Sequence, residues 1–379
     1  MKKNFNHLLS TSLINNLTYE TPFFLFSNKK ILANYRAFKK NFPKSSIHYA
    51  MKANSEPEIL ELLAKAGCGF EVASAHELHL LDKLKVSPAK IIYGTSVKPA
   101  SHIKEFFKYG VDRFAFDSFH ELHKIAKEAP HSKVYVRIIA NDTGSVFKFS
   151  EKFGTDIANI VPLLLKAREL KLHPYGISFH VGSQAGDPFA WANTIQRLIP
   201  AIDELKKVGI TIDIIDLGGG YPCNYLSSQN VISLKEIAAN TLKEYKKLPY
   251  RPKLILEPGR GIIGDTGILV ASVIAKVERK STHWLFLDAG VYNGLFEAMA
   301  YQGSTRYPIT SLKASRHAGE TLFAIAGPTG DSPDIITREA LLPTNIEVGD
   351  KLVIHNVGAY SLSVVSRFNG FPKPDVYYI

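Results

Sequence analysis

The sequence predicts an α/β domain followed by an all-β domain: a (β/α)8 TIM barrel with a C-terminal β-domain. Two observations carry this. Short β-rich runs alternate eight times with helix-period stretches between Ser45 and about Gly261. Beyond that point strand-like runs follow one another with Gly, Pro and Asp in the connections and no long helix. Alternation at this spacing calls for parallel strands joined by crossovers, and eight repeats favour a closed barrel over an open sheet.

The runs that read as barrel strands are Ile47–Met51, Gly69–Val72, Lys90–Tyr93, Arg113–Phe116, Lys133–Ile139, Gly176–Val181, Thr211–Leu217 and Lys253–Leu256. Helical periodicity occupies Pro57–Ala66, Ala75–Leu84, Ala100–Tyr109, Phe119–Glu128, Ile157–Leu170, Phe189–Val208 and Leu234–Lys246. Ser74 and the pair Asp117-Ser118 stand at N-cap positions, and Gly67, Gly110 and Gly209 punctuate helix ends. Asn28–Phe42 reads as the helix leading into the barrel. In the second domain Ile268–Val277, Trp284–Leu287, Thr321–Ile325 and Lys351–His355 are strand-like, and Pro22–Phe26 is expected to join them from the N-terminus. The resulting boundaries are 1–28 for an N-terminal segment joining the β-domain, 29–262 for the barrel and 263–379 for the β-domain.

At 379 residues, 45% hydrophobic and 21% charged, the chain has the composition of a globular enzyme with one large and one smaller domain. The net charge of +11 is not gathered into arms or stripes; pairs such as Lys39-Lys40, Lys206-Lys207 and Lys246-Lys247 lie on helix faces, which reads as solvated surface and not as a nucleic-acid site. Two cysteines, Cys68 and Cys223, stand far apart in no metal spacing, which fits a reducing cytoplasm and no metal. Cys68 reads as a small core residue and Cys223 as structural, although nearer the candidate site. The N-terminal stretch Met1–Asn16 is too interrupted by polar residues for a secretory signal, and no run reaches the length of a membrane span. A cytoplasmic protein is expected.

Four strand ends carry the chemistry. His48-Tyr49-Ala50-Met51-Lys52-Ala53-Asn54 puts a lysine at the carboxyl end of the first strand, where barrel active sites lie. Phe179-His180-Val181-Gly182-Ser183 closes the sixth strand, Asp216-Leu217-Gly218-Gly219-Gly220 the seventh, and Leu256-Glu257-Pro258-Gly259-Arg260 the eighth. Taken singly, a strand-end lysine, a barrel-mouth histidine, a glycine turn and a Glu257–Arg260 ion pair would each be structural. Together they supply an amine, an aromatic ring, an anion cradle and a carboxylate. That set suits pyridoxal 5'-phosphate: Lys52 to carry it covalently, His180 to stack on its ring, and Glu257 to keep the pyridine nitrogen protonated. Glycine N–H groups, Ser183 and Arg260 would hold its phosphate.

The chain resembles the alanine-racemase-fold (fold type III) pyridoxal-phosphate decarboxylases, in their ornithine/lysine decarboxylase branch. The resemblance spans nearly the whole chain. It rests on Tyr49-Ala50-Met51-Lys52-Ala53-Asn54, Phe70-Glu71-Val72-Ala73-Ser74, Lys152-Phe153-Gly154, His180-Val181-Gly182-Ser183-Gln184, Gly218-Gly219-Gly220-Tyr221-Pro222 and Glu257-Pro258-Gly259-Arg260. Further markers are Gly327-Pro328-Thr329 with Asp331, and Gly358-Ala359-Tyr360 with Phe368-Asn369-Gly370-Phe371. It implies a homodimer with shared active sites, and decarboxylation of a basic L-amino acid to a polyamine-type amine. By position it makes Lys52 the lysine that binds the cofactor, His180 the stacking ring and Glu257 the partner of the ring nitrogen. Ser183, Gly219, Gly220, Gly259, Arg260 and Tyr360 fall in the phosphate-binding segments, Glu71 and Arg137 lie near the lysine and ring, and Asp331 reaches the substrate's distal amine from the partner subunit.

Two positions depart from the family pattern. Gly330 stands where active members carry the cysteine that returns a proton to Cα, and glycine cannot do this. In Ala300-Tyr301-Gln302, Gln302 occupies the place of a second acid for the distal amine. Simple decarboxylation is the leading reading. Gly330 keeps two alternatives in view: decarboxylation coupled to transamination or acting on a modified amino acid, and a non-catalytic regulatory homologue.

Overall fold

The structure is a computed structural model and describes Ile14 and residues 17–149, 151–225, 231–300, 307–313 and 319–379. Tyr301 and Gln302, and the N-terminal stretch apart from Ile14, lie outside the described residues. The chain divides into two compact units, Leu32–Pro222 with Val231–Gly261, and Met1–Ile31 with Cys223–Asn230 and Ile262–Ile379.

The strands in chain order are β1 (Phe23–Phe26), β2 (Ser46–Ala50), β3 (Gly69–Val72), β4 (Ile91–Tyr93), β5 (Arg113–Phe116), β6 (Lys133–Ile138), β7 (Ser145–Phe147), β8 (His173–Phe179) and β9 (Ser183–Ala185). They continue with β10 (Ile214–Asp216), β11 (Lys253–Leu256), β12 (Gly267–Arg279), β13 (Thr282–Leu287), β14 (Ile309–Ser311), β15 (Glu320–Ala326), β16 (Ile335–Pro343), β17 (Lys351–His355) and β18 (Asp375–Tyr378). In the first unit β2, β3, β4, β5, β6, β8, β10 and β11 close into an all-parallel barrel, with β11 returning to β2. Five of the helices that connect them start at the predicted residue, while Ile160–Glu169 and Ala190–Lys207 start three residues and one residue later. Ser74 and Ser118 cap Ala75–Lys83 and Phe119–Glu128, their hydroxyls accepting from the backbone of Glu77 and Glu121 at 3.3 Å each. Gly110 ends Ala100–Tyr109 in the left-handed region, at φ 101°.

Side chains alternate across a strand, so every second residue faces the barrel axis. Ile92, Ala115, Tyr135, Ile214 and Ile255 form one apolar cluster, drawn from five of the eight strands. Two residues further along three of these strands come Arg137, Asp216 and Glu257. Register places Arg137, Ser178 and Asp216 side by side on β6, β8 and β10. The barrel's apolar layer is therefore roofed by a charged layer at the carboxyl end of the strands.

In the second unit an eight-stranded sheet runs β14-β17-β12-β13-β15-β16, with β1 on β12 and β18 on β1. The N-terminal strand β1 pairs antiparallel with β12. Ile14, Phe23, Leu25, Ile268, Val270, Leu312 and Val353 make its core. Sequence reading missed β14, β16, β18 and the small antiparallel pair β7–β9. It also ran the first barrel strand one residue too far. β2 stops at Ala50, and Met51–Ala53 forms a 3-10 turn closed by Asn54 N donating to Met51 O at 3.0 Å. Among the described residues no helix is long and apolar enough to cross a membrane.

Candidate active site

The turn after β2 isolates one side chain. Met51 and Ala53 are buried, the Tyr49 hydroxyl pins Asn54 O at 2.9 Å, and Lys52 projects with 46% of its side chain exposed. Its Nζ lies 3.6 Å from Glu71 Oε2 on β3. Glu71 fits because residue 94 has no side chain: a Cβ there would stand 2.6 Å from Glu71 Oε1. Gly259 closes the ring from β11, its missing Cβ falling 2.9 Å from that of Ala53.

His180 follows β8. Gly182 N donates to its Nδ1 at 3.0 Å, which makes Nδ1 an acceptor and leaves any ring proton on Nε2. Burial first, then the charges of Arg137 and Lys52, hold its pKa well below the ordinary histidine range. The ring is therefore neutral at working pH. Phe149 meets it edge-on at 5.0 Å. Beside it the glycine turn is tight: a Cβ on Gly219 would stand 3.0 Å from His180 Nε2 and 2.8 Å from Glu257 O. Gly220, at φ 98°, could carry one only 2.4 Å from Gly182 O. Arg260 Nε donates to Ser183 Oγ at 3.3 Å, and both residues are buried. Arg137 stacks over Phe153 at 5.2 Å.

Glu257 lies within hydrogen-bonding reach of Asp216 on β10. Burial, then Asp216 and Glu71, push the Glu257 carboxyl well above the usual carboxylate range, and burial raises Asp216 as well. Asp216 heads the seventh-strand motif but was given no role in the sequence, where Ile-Ile-Asp-Leu reads only as a strand end. Nothing local distinguishes it; its parity with Ile214 was the available signal.

In the second unit, Gly327-Pro328-Thr329-Gly330-Asp331 forms a loop organised by Asp334, also missed in the sequence. The Asp334 carboxylate accepts from Val291 N at 2.8 Å, Thr329 N at 3.1 Å and Thr329 Oγ1 at 2.7 Å. The Tyr292 hydroxyl donates to Asp331 Oδ2, and Tyr292 stacks on Phe368 at 4.5 Å. Gly330 N donates to Asn369 Oδ1 at 3.0 Å; a Cβ at Gly330 would meet only that oxygen, at 3.9 Å. Tyr360 adopts φ 52°, in the left-handed region. Cys68 and Cys223 are both buried, and the Cys68 thiol is pushed up to about 12 by burial. Among the described residues no cluster could hold a metal ion.

The barrel mouth thus brings Lys52, Glu71, Arg137, His180, Ser183, Gly219, Gly220, Glu257, Gly259 and Arg260 to the carboxyl ends of its strands. The residues fit a phosphorylated pyridine. An exposed amine stands beside a carboxylate, a neutral flat ring sits next to glycines that leave room for close approach, a buried guanidinium and hydroxyl are already joined, and a carboxyl with too little positive charge around it awaits a ring N–H. A barrel with this mouth and a partner β-domain defines a fold type III pyridoxal-phosphate enzyme. The profile described as "Pyridoxal-dependent decarboxylase, pyridoxal binding domain" matches residues 28–264, and the chain belongs to that decarboxylase family. It is 34% identical to the lysine/ornithine decarboxylase of Selenomonas ruminantium over 93% of this chain and 88% of that protein. It is also 30% identical to antizyme inhibitor 2 of Xenopus laevis, over 94% and 80%. The arginine decarboxylase of Paramecium bursaria Chlorella virus, solved with agmatine, superimposes with a TM-score of 0.89 at 28% identity, covering 98% of this chain and 100% of that one. The chain is a pyridoxal-phosphate-dependent decarboxylase of the ornithine/lysine branch.

Proposed function

We propose that this decarboxylase acts on a basic L-amino acid of the ornithine or lysine type and releases the corresponding diamine. The observation that carries the substrate class is Asp331, whose carboxylate is held by the Tyr292 hydroxyl on a loop that Asp334 fixes from behind. An anion held in this way suits a distal ammonium group. The activities of the lysine/ornithine and arginine relatives support the same class. The relationship to antizyme inhibitor 2 supports a regulator less well, because the full set of residues suited to the cofactor is retained in this chain.

Lys52 would hold the cofactor covalently through its exposed amine. Glu71 beside it keeps the amine oriented. His180, neutral and flat, covers one ring face without offering a second charge. Glu257 accepts from the ring N–H. Ser183, Gly219, Gly220, Gly259, Arg260 and Tyr360 bind the phosphate, and Arg137 adds positive charge to the barrel mouth. When bound, pyridoxal phosphate supplies the electron sink that takes the pair left as carbon dioxide departs. The protein's task would be to orient the substrate against that ring and, through Glu257, to keep the ring nitrogen protonated. We assign the assembly as a homodimer in which Asp331 and Tyr360 of one protomer complete the site at Lys52 of its partner, with residues 1–28 joined to the β-domain in each protomer and the enzyme working in the cytoplasm.

A second reading follows from Gly330, which puts no acid where the family returns a proton to Cα. Protonation on the cofactor instead, followed by hydrolysis with one water, would give an aldehyde and an aminated cofactor. Incubation with ornithine, lysine and arginine, followed by product analysis, decides between the two. The proposal predicts a diamine, with activity falling at least tenfold in Asp331→Ala. An aldehyde with matching loss of cofactor absorbance supports the second reading. Vigorous turnover of neutral amino acids alone would contradict the role given to Asp331.

A further inference from the structure

A fully buried carboxyl and a part-buried one lie within hydrogen-bonding reach of each other beneath the barrel mouth, and the reaction as outlined uses only one. Asp216 is fully buried on β10, and its Oδ1 accepts from Gly218 N at 2.9 Å. Its Oδ2 has no donor among the described residues. The neighbour within reach of Asp216 is the Glu257 carboxyl, which can donate only when protonated. Two ionised carboxylates at this separation would repel in a poorly solvated interior, and a single proton between them removes the repulsion and satisfies the orphaned oxygen. The charges around the pair do not neutralise it. Glu71 on β3 adds a third carboxylate, Arg137 on β6 and Lys52 after β2 supply two cations, and His180 after β8 is neutral. The buried Tyr135 and Tyr221 hydroxyls, with no hydrogen-bond partner among the described residues, lie near the same carboxyls. With both carboxyls of the pair ionised, three anions meet two cations; with one shared proton the layer balances.

We propose that Asp216 and Glu257 share one proton in the cofactor-free protein, and that the ring N–H of pyridoxal phosphate displaces it to solvent on binding. This rests on the reading above that Glu257 receives the ring nitrogen. The step balances. Before binding the pair holds one proton and a charge of −1; afterwards both groups are carboxylates, Glu257 accepts from the ring N–H, and one proton has left. Asp216 is then a positioning residue. It keeps Glu257 from standing bare in the empty site, and in the loaded site its charge strengthens the hold of Glu257 on the ring proton.

Proton release is measured without turnover. The full-length protein, stripped of cofactor, is titrated with pyridoxal 5'-phosphate near pH 7 by calorimetry in buffers of different ionisation enthalpy. Contributions from the phosphate and from Lys52 are common to all variants and cancel in the comparison. Asp216→Asn keeps an oxygen for Gly218 N and an amide for Glu257, so Glu257 starts ionised and has no shared proton to lose. The native protein should release about one proton more per cofactor than Asp216→Asn, and its affinity should climb up to about tenfold per pH unit more steeply. Glu257→Gln removes the pair from the other side and should lose the same proton, which keeps the test open if Asp216→Asn fails to fold. Equal proton release by the native protein and by whichever variant folds overturns the proposal. Absence of any binding heat in the native protein would instead overturn the cofactor site itself.

Discussion

At the scale of single residues, the site depends on side chains that are present and on one that is missing. Glu71 reaches Lys52 only because Gly94 leaves the space, with a hypothetical Cβ 2.6 Å from Glu71 Oε1. Gly94→Ala should therefore push Glu71 off Lys52. Overpacking at a buried site typically costs about 1–3 kcal/mol, so the variant should melt lower and bind pyridoxal phosphate more weakly, both readable by thermal melting and fluorescence titration. An unchanged affinity would remove Glu71 from the site. Lys52, His180 and Glu257 were legible in the sequence because each ends a strand inside a distinctive motif. Asp216 and Asp334 were not, because their meaning comes from partners distant in sequence: Glu257 for the first, Val291 for the second.

At the scale of elements, period and punctuation located the barrel strands and their helices well, since the crossover helices are amphipathic and three of them carry a serine cap. Ser233 is such a cap, exposed, its hydroxyl accepting from Glu236 N at 3.1 Å ahead of the helix Leu234–Tyr245. Ser233→Ala should cost about 1 kcal/mol of stability and leave decarboxylation untouched, which denaturant melts and a rate assay would check together. Loss of activity at unchanged stability would mean that this helix acts on the site. The elements that escaped the sequence are those with no periodic signature. β14 and β7–β9 contain three residues per strand, and β16 ends in Pro343 after the charged pair Arg338-Glu339. The turn Met51–Ala53 escaped because it continues the apolar alternation of β2 while its backbone has already left the sheet.

At the scale of the whole molecule, residues suited to one reaction are divided between two compact units, with Lys52, His180 and Glu257 in the barrel and Asp331 and Tyr360 in the other. If those sites are shared between protomers, mixing Lys52→Ala with Asp331→Ala under subunit exchange should restore up to about a quarter of native activity, from the one intact site that statistical heterodimers retain. No recovery, with exchange verified, would place each site within one chain. The fold class was readable because eight strand–helix repeats admit few other solutions. The central claim, that Lys52 at the barrel mouth carries pyridoxal phosphate, is tested most directly by borohydride reduction of the loaded protein followed by peptide mass spectrometry. A pyridoxyl group on the peptide containing Lys52, absent from Lys52→Ala, is the predicted result; a label fixed on another lysine, or none at all, would contradict it.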